Sequence, residues 1–126
     1  LIEFSVQRST GVFAFWATPG GEIDAGESDL DAAERELREE LNLTLPLEGP
    51  VHSVSSVFEH KGKLIRNNDV FFVARCATDA PQLTAFTEEE RGVLRRCRWW
   101  SRAELTDARE NIFPEDLASV VTRLTR

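Results

Sequence analysis

The chain has no methionine and only two cysteines and two histidines. Each shortage narrows the field. Cys76 and Cys97 have no CxxC partner and no histidine at metal-ligand spacing. They read as reduced, packed thiols of a cytoplasmic protein rather than a zinc site or a disulfide. His52 and His60 stand isolated in the sequence, so a surface or packing role is expected of each. No apolar run approaches the roughly 20 residues that cross a bilayer, and no signal-peptide pattern is visible. A start at Leu1 without any Met leads us to expect that the natural N-terminus is missing. Motifs are absent too. There is no Gly-x4-Gly-Lys-Ser/Thr phosphate loop and no Gly-x-Ser-x-Gly elbow. Asp24 to Asp31 lacks the carboxylate spacing of an EF-hand. Neither an internal repeat nor a low-complexity segment appears.

What is present fits one soluble domain over residues 1–126, with enough length for a single core. The composition is 41% hydrophobic and 29% charged, ordinary for a globular protein. The net charge of −7 is unevenly spread. Nine of the 22 acids lie between Glu22 and Glu40. Such a concentration repels a nucleic-acid backbone and suits a cation that then holds a phosphate ester, so nucleic acid is not an expected partner.

That acidic stretch is where the chemistry concentrates. Gly20 and Gly21 form a turn, residues up to Gly26 form a loop, and an amphipathic helix runs from there to Asn42. Ser28 or Asp29 is the expected N-cap. Leu30, Ala33, Leu37 and Leu41 recur at three- and four-residue steps and share one face. At about 100° per residue, Glu36, Glu39 and Glu40 lie within an arc of about 100° beside that stripe. Glu36 and Glu40 are like-charged i,i+4 neighbours, which weaken a helix. A solvated acidic face is the bland account. A bound hard cation, which takes oxygen ligands, is the functional one. Arg35 is expected to pair with one or more of these acids through its guanidinium fork.

The spacing from Gly21 to Glu27, Arg35, Glu36, Leu37, Glu39, Glu40 and Leu43 resembles the Nudix box, Gly-x5-Glu-x7-Arg-Glu-U-x-Glu-Glu-x-Gly-U, where U is a bulky aliphatic residue. All eight of those positions match. Asn42 replaces the family's last Gly. A left-handed backbone is expected there, and Asn tolerates one best after Gly. Trp16 to Gly21 resembles the Trp-x-x-Pro-Gly-Gly lead-in of this family, and Trp99 to Leu105 resembles a segment found late in many of its members.

The rest of the chain alternates strand and helix signals. Strands are expected at Leu1 to Gln7, Val12 to Ala17, Val51 to Glu59, Leu64 to Cys76 and Arg95 to Trp100. Leu43 to Pro50 reads as a connector, and Lys61 to Lys63 as a hairpin turn. Asn67 to Asp69 is expected to form a bulge or local turn, and Val70 to Ala74 a central strand segment. Ser101 with Glu104 forms a capping box for a short helix. Pro114 to Leu124 is a final helix with Leu117, Val120, Val121 and Leu124 buried.

The resemblance implies an α/β (α+β) Nudix fold, a mixed β-sheet sandwiched between helices. It implies a Mg2+- or Mn2+-dependent pyrophosphohydrolase acting on a nucleoside diphosphate linked to another moiety. Glu36, Glu39 and Glu40 would bind metal, aided by the Gly21 carbonyl. Gly20, Gly26, Glu27 and Arg35 would support them. Glu36, or Glu90 in a later loop, would serve the attacking water. The partner is a small nucleotide-type molecule, and a homodimer is compatible with the family. The other readings are a catalytically inactive nucleotide-sensing module of the same fold, which usually loses box glutamates, and a purely structural acidic domain, which leaves the glycine turn unexplained.

Overall fold

The computed structural model describes residues 1–60, 62–77 and 94–125. Alternation of apolar and polar residues makes β1 (Ile2–Arg8) and β2 (Gly11–Ala17) an antiparallel hairpin, with Ile2 opposite Ala17 and Phe4 opposite Phe15. β5 (Leu94–Cys97) adds to the free edge of β1, antiparallel, and β6 (Ile112–Phe113) adds to β2 in parallel. The resulting sheet has the order β5-β1-β2-β6. A long ribbon of β3 (Leu47–His60) and β4 (Lys63–Ala74) forms a second, two-stranded antiparallel sheet. The helices among the described residues are α1 (Asp29–Leu41), α2 (Arg102–Asp107) and α3 (Leu117–Leu124). The fold class is therefore mixed α+β, with the strands divided between two sheets.

Each face of the first sheet is organised by aromatics. On one face Phe4 stacks on Phe15 with centroids 5.3 Å apart, while Phe13 and Phe113 meet the same ring at 5.6 and 5.4 Å. Such contacts favour offset or edge-on approach. On the other face Trp16 is 3% exposed. Trp100 meets it edge-on at 5.3 Å, and the Arg96 and Arg98 guanidinium carbons sit 5.1 and 5.3 Å from its ring. Trp16 is thus a packing residue. Ile2, Trp16, Ala32, Leu94, Leu105, Leu117 and Val120 are the buried apolar residues among those described.

Several boundaries differ from the sequence-based expectation, each for a physical reason. β3 starts at Leu47 rather than Val51, but its pairing with β4 is interrupted between Glu48 and His52. Pro50, which has no amide proton to give a ladder, sits in that interruption. Asn67, Asn68 and Asp69 form no turn. They pair in regular register with Ser56, Ser55 and Val54. Side-chain bonds replace apolar packing: the Ser55 hydroxyl donates to Asn68 Oδ1 at 2.6 Å. Val70 to Ala74 is not in a central strand, because β4 has β3 as its one ladder partner among the described residues. β5 ends at Cys97, and Trp99 and Trp100 fall beyond it.

Capping was legible. The Ser101 hydroxyl accepts from the Glu104 amide at 3.1 Å, and the Ser101 amide donates to Glu104 Oε1 at 2.8 Å. That backbone bond, reinforced by Arg98, holds the Glu104 carboxyl below the usual carboxylate range. The last helix begins at Leu117 rather than Pro114. It buries Leu117 and Val120, while Leu124 is 40% exposed. Its start is close to the ribbon, where Asp116 Oδ2 lies 3.0 Å from His52 Nε2 without hydrogen-bond alignment. Its end reaches the ribbon through Arg123, which donates to the Val51 carbonyl at 2.7 Å. His52 also leans on Phe71 at 5.7 Å, the packing role expected of it.

Trp16 joins the sheet to the chain segment that enters the glycine turn. We expect Trp16→Ala to lower unfolding free energy by about 3 kcal/mol, the range for truncating a buried large aromatic. Urea denaturation followed by fluorescence of Trp99 and Trp100 measures it.

Candidate active site

β2 ends at Ala17, and Pro19 ends its ladder. The chain then crosses α1 as a loop with two glycines. Ser28 caps α1, its hydroxyl accepting from the Asp31 amide at 3.1 Å. Asp29 and Asp31 in the first turn face the positive end of the helix dipole. At the far end Asn42 takes a left-handed conformation, φ 54°, and its amide donates to the Arg38 carbonyl at 2.9 Å. The residue that departs from the box pattern thus adopts the backbone its position was expected to need.

The buried line of α1 is not the expected leucine stripe. Leu30 is 39% exposed, whereas Ala32 and Glu40 are 3% and 7% exposed. Ala32, Glu36 and Glu40 stand at i, i+4 and i+8, one above another. The reason is the glycine loop, which crosses this acidic side. The Gly20 amide donates to Glu40 Oε1 at 2.8 Å. At Gly21 the loop comes so close that a β-carbon there would lie 2.6 Å from Glu36 Oε1. Only glycine fits without displacing that carboxylate. Gly26, exposed and at φ 82°, turns the chain just before the N-cap.

Arg35 gathers the other acids. Its Nε and Nη2 donate to the two carboxylate oxygens of Glu27 at 2.8 and 3.1 Å, a bidentate fork. Nη1 donates to Glu36 Oε1 at 2.8 Å and to Glu39 Oε2 at 3.1 Å. Nη2 also donates to the Glu22 carbonyl at 2.9 Å, and Asp24 Oδ2 stands 3.4 Å from Nε. The loop braces Glu27 in turn. The Asp24 amide donates to Glu27 Oε1 at 2.9 Å, and the Glu27 amide donates to the Asp24 carbonyl at 3.1 Å. Asp24 and the Glu22 carbonyl escaped the sequence reading. The three-residue step from Asp24 to Glu27, the same step as a capping box, is the signal that would have found them.

Five of the residues expected to form the site therefore meet directly: Glu27, Arg35, Glu36, Glu39 and, through its close approach to Glu36, Gly21. Glu40 is held by Gly20 under the loop. Glu90 lies outside the described residues. A cleft of about 1350 Å3 opens beside the box, with Gly20, Gly21 and Glu36 in its wall. It is roomier than the roughly 300–1,000 Å3 typical of small-ligand sites. Asn67, Asp69, Trp99 and Arg98 also line it, and Arg98 is the one arginine or lysine among the described lining residues.

The family model for the NUDIX domain matches residues 4–121. The chain belongs to the Nudix family. The solved structure of the E. coli ORF135 protein is similar in fold, with a TM-score of 0.51 and 23% identity over 98% of this chain and 79% of that one. No curated protein is a significant match. The Nudix box of this chain is thus the loop and helix just described. Among the described residues, no three His, Cys, Asp or Glu side chains converge as a ready-made metal cage. The donor set is nonetheless carboxylate and carbonyl oxygen, the kind hard divalent ions take, so its chemistry fits Mg2+ or Mn2+.

The guanidinium acts on the ionisation of Glu27. The hydrogen bonds from Arg35, and next the Asp24 amide, hold the Glu27 carboxyl below the usual carboxylate range. Glu27, and then Glu36, raise Arg35 further above its ordinary value. A carboxyl whose folded pKa lies below its unfolded one stabilises the fold at pH above the ordinary range. That contribution is lost as pH falls through the folded value. We expect the Glu27 side-chain carbon, followed by NMR, to titrate below the ordinary glutamate range, and to return toward it in Arg35→Gln.

Proposed function

We propose that the chain is a metal-dependent hydrolase that cleaves the pyrophosphate linkage of a nucleoside diphosphate joined to a further group. The observation that carries this reading is the geometry of the box. Three glutamates occupy one arc of α1, a glycine loop is pressed against two of them, and a guanidinium fork sets the remaining loop acid. Membership of the Nudix family supports it. Retention of every acidic box position favours a working enzyme over a nucleotide sensor.

In this reading Glu36, Glu39, Glu40 and the Gly21 carbonyl hold Mg2+ or Mn2+. When bound, such ions neutralise the diphosphate and lower the pKa of an attacking water. The protein's own part is placement. Gly20 fixes Glu40 by its amide, so that carboxylate does not rotate freely. Arg35 holds Glu27, Glu36 and Glu39 at one spacing, which limits how far their mutual repulsion can spread them. Gly21 keeps the loop close enough for its carbonyl to join the carboxylates. Glu36 or Glu90 takes the proton from the water that attacks phosphorus. A nucleoside monophosphate and a phosphorylated remainder leave.

The test is turnover with Mg2+ or Mn2+ on nucleoside triphosphates, dinucleoside polyphosphates and nucleotide sugars. Glu40→Gln keeps a side-chain oxygen for the Gly20 amide but loses the charge. We expect it to lower kcat at least about 100-fold, on the order of 3 kcal/mol in the barrier, with an unchanged melting temperature. Full activity in that variant contradicts the assignment. A second variant, Gly21→Ala, places a methyl group against Glu36. It should lower kcat and metal affinity together, measured by turnover against metal concentration.

A further inference from the structure

Outside the box, the cleft wall carries a feature that sheet packing does not require. β4 bears Asn67 and Asp69 two residues apart, hence on one face, both exposed; β4 lines the cleft from Asn67 to Phe72 with residues of both its faces, these two among them. Asn67 Nδ2 donates to Asp69 Oδ2 at 3.1 Å, which fixes the amide beside the carboxylate. Their cross-strand partners Ser56 and Val54 are uncharged and line the same cleft. Among the described residues no cation pairs with Asp69. Phe71 continues the row on the same face and also lines the cleft. The row therefore offers an amide donor, a carboxylate acceptor and an aromatic ring in line, along the cleft that holds Gly21 and Glu36.

We propose that Asn67 and Asp69 read the base of the nucleotide, and that the base they fit is guanine. This rests on the hydrolase reading for the position of the phosphates. Guanine's pairing edge presents one acceptor, O6, beside two donors, the ring N1–H and the exocyclic amine. The Asp69 carboxylate accepts from both donors, and the second proton of the Asn67 amide reaches O6. Adenine and cytosine each present a bare ring nitrogen where the carboxylate needs a proton, so two lone pairs would face each other. Uracil presents one donor between two acceptors and leaves one carboxylate oxygen without a partner. A site built to bond a donor rejects the analogue that lacks it.

Two measurements on the full chain test this. The first is binding of GMP, AMP, CMP and UMP without metal, by NMR shift perturbation. These products contain no pyrophosphate linkage, so the readout does not depend on hydrolysis. We expect GMP to bind at least about tenfold more tightly than the others, with Asn67 and Asp69 shifting. Asp69→Asn should remove that preference, and Asn67→Ala should weaken it. Equal binding of all four, or a preference that survives in folded Asp69→Asn, overturns the proposal. The second is the KM-against-kcat split on nucleoside triphosphates. Asp69→Asn should raise KM for GTP about tenfold with kcat nearly unchanged, and leave the KM values of ATP, CTP and UTP in place. A loss of kcat on every substrate alike would instead make Asp69 part of the hydrolytic machinery and overturn its role as a base reader. Preferential GMP binding without any turnover would uphold base reading while removing the hydrolase assignment.

Discussion

One guanidinium holds this site together. Arg35 reaches from the helix to the loop and touches Glu27, Glu36, Glu39 and the Glu22 carbonyl at 2.8 to 3.1 Å. Without a cation there, carboxylates from the loop and from two turns of the helix would crowd at short range in a partly dry place, where repulsion is poorly screened. With it, a flexible loop becomes a wall of fixed shape. An arginine does this better than a lysine, because its planar fork serves several acceptors in set directions.

The rest of the structure serves that arrangement. The aromatic packing of β1, β2 and β6 fixes where β2 ends, and so where the glycine loop departs. Ser28 and Asn42 set the two ends of α1, which decides the rotation of its glutamates toward the loop. Two compensations for the acidic arc coexist: Arg35 on one side and the Gly20 amide on Glu40 on the other. Glu27 grips Arg35 by two bonds. Under the proposed function the guanidinium therefore keeps its anchor while Glu36 and Glu39 turn an oxygen to another cation.

The box was legible in the sequence because its elements are local. Periodicity, a glycine pair and caps at both ends specify a loop and a helix within 23 residues. The pairing of Arg35 with the acids followed from charge and spacing alone. What the sequence did not reveal depends on partners far away in the chain. The buried face of α1 was misjudged because hydrophobicity points to Leu30, Leu37 and Leu41. The loop that approaches Glu36 and Glu40 arrives from before the helix and brings its backbone, not apolar side chains. Asn67 to Asp69 read as a bulge or local turn because Asn and Asp favour turns. In the ribbon the long ladder on either side of them wins, and the strand persists through a polar stretch. Leu43 to Pro50 read as a connector because of its prolines, but β3 already starts at Leu47, and Pro50 only interrupts its pairing with β4.

The central claim is that this acidic arc receives divalent cations beside the glycine loop. Mn2+ broadens NMR signals steeply with proximity, so adding substoichiometric Mn2+ to the labelled protein locates the ion directly. The account predicts that the amides of Gly20, Gly21 and the segment from Glu36 to Glu40 vanish first, and that excess Mg2+ restores them. Broadening centred elsewhere, or no selective loss with and without nucleotide present, would contradict it.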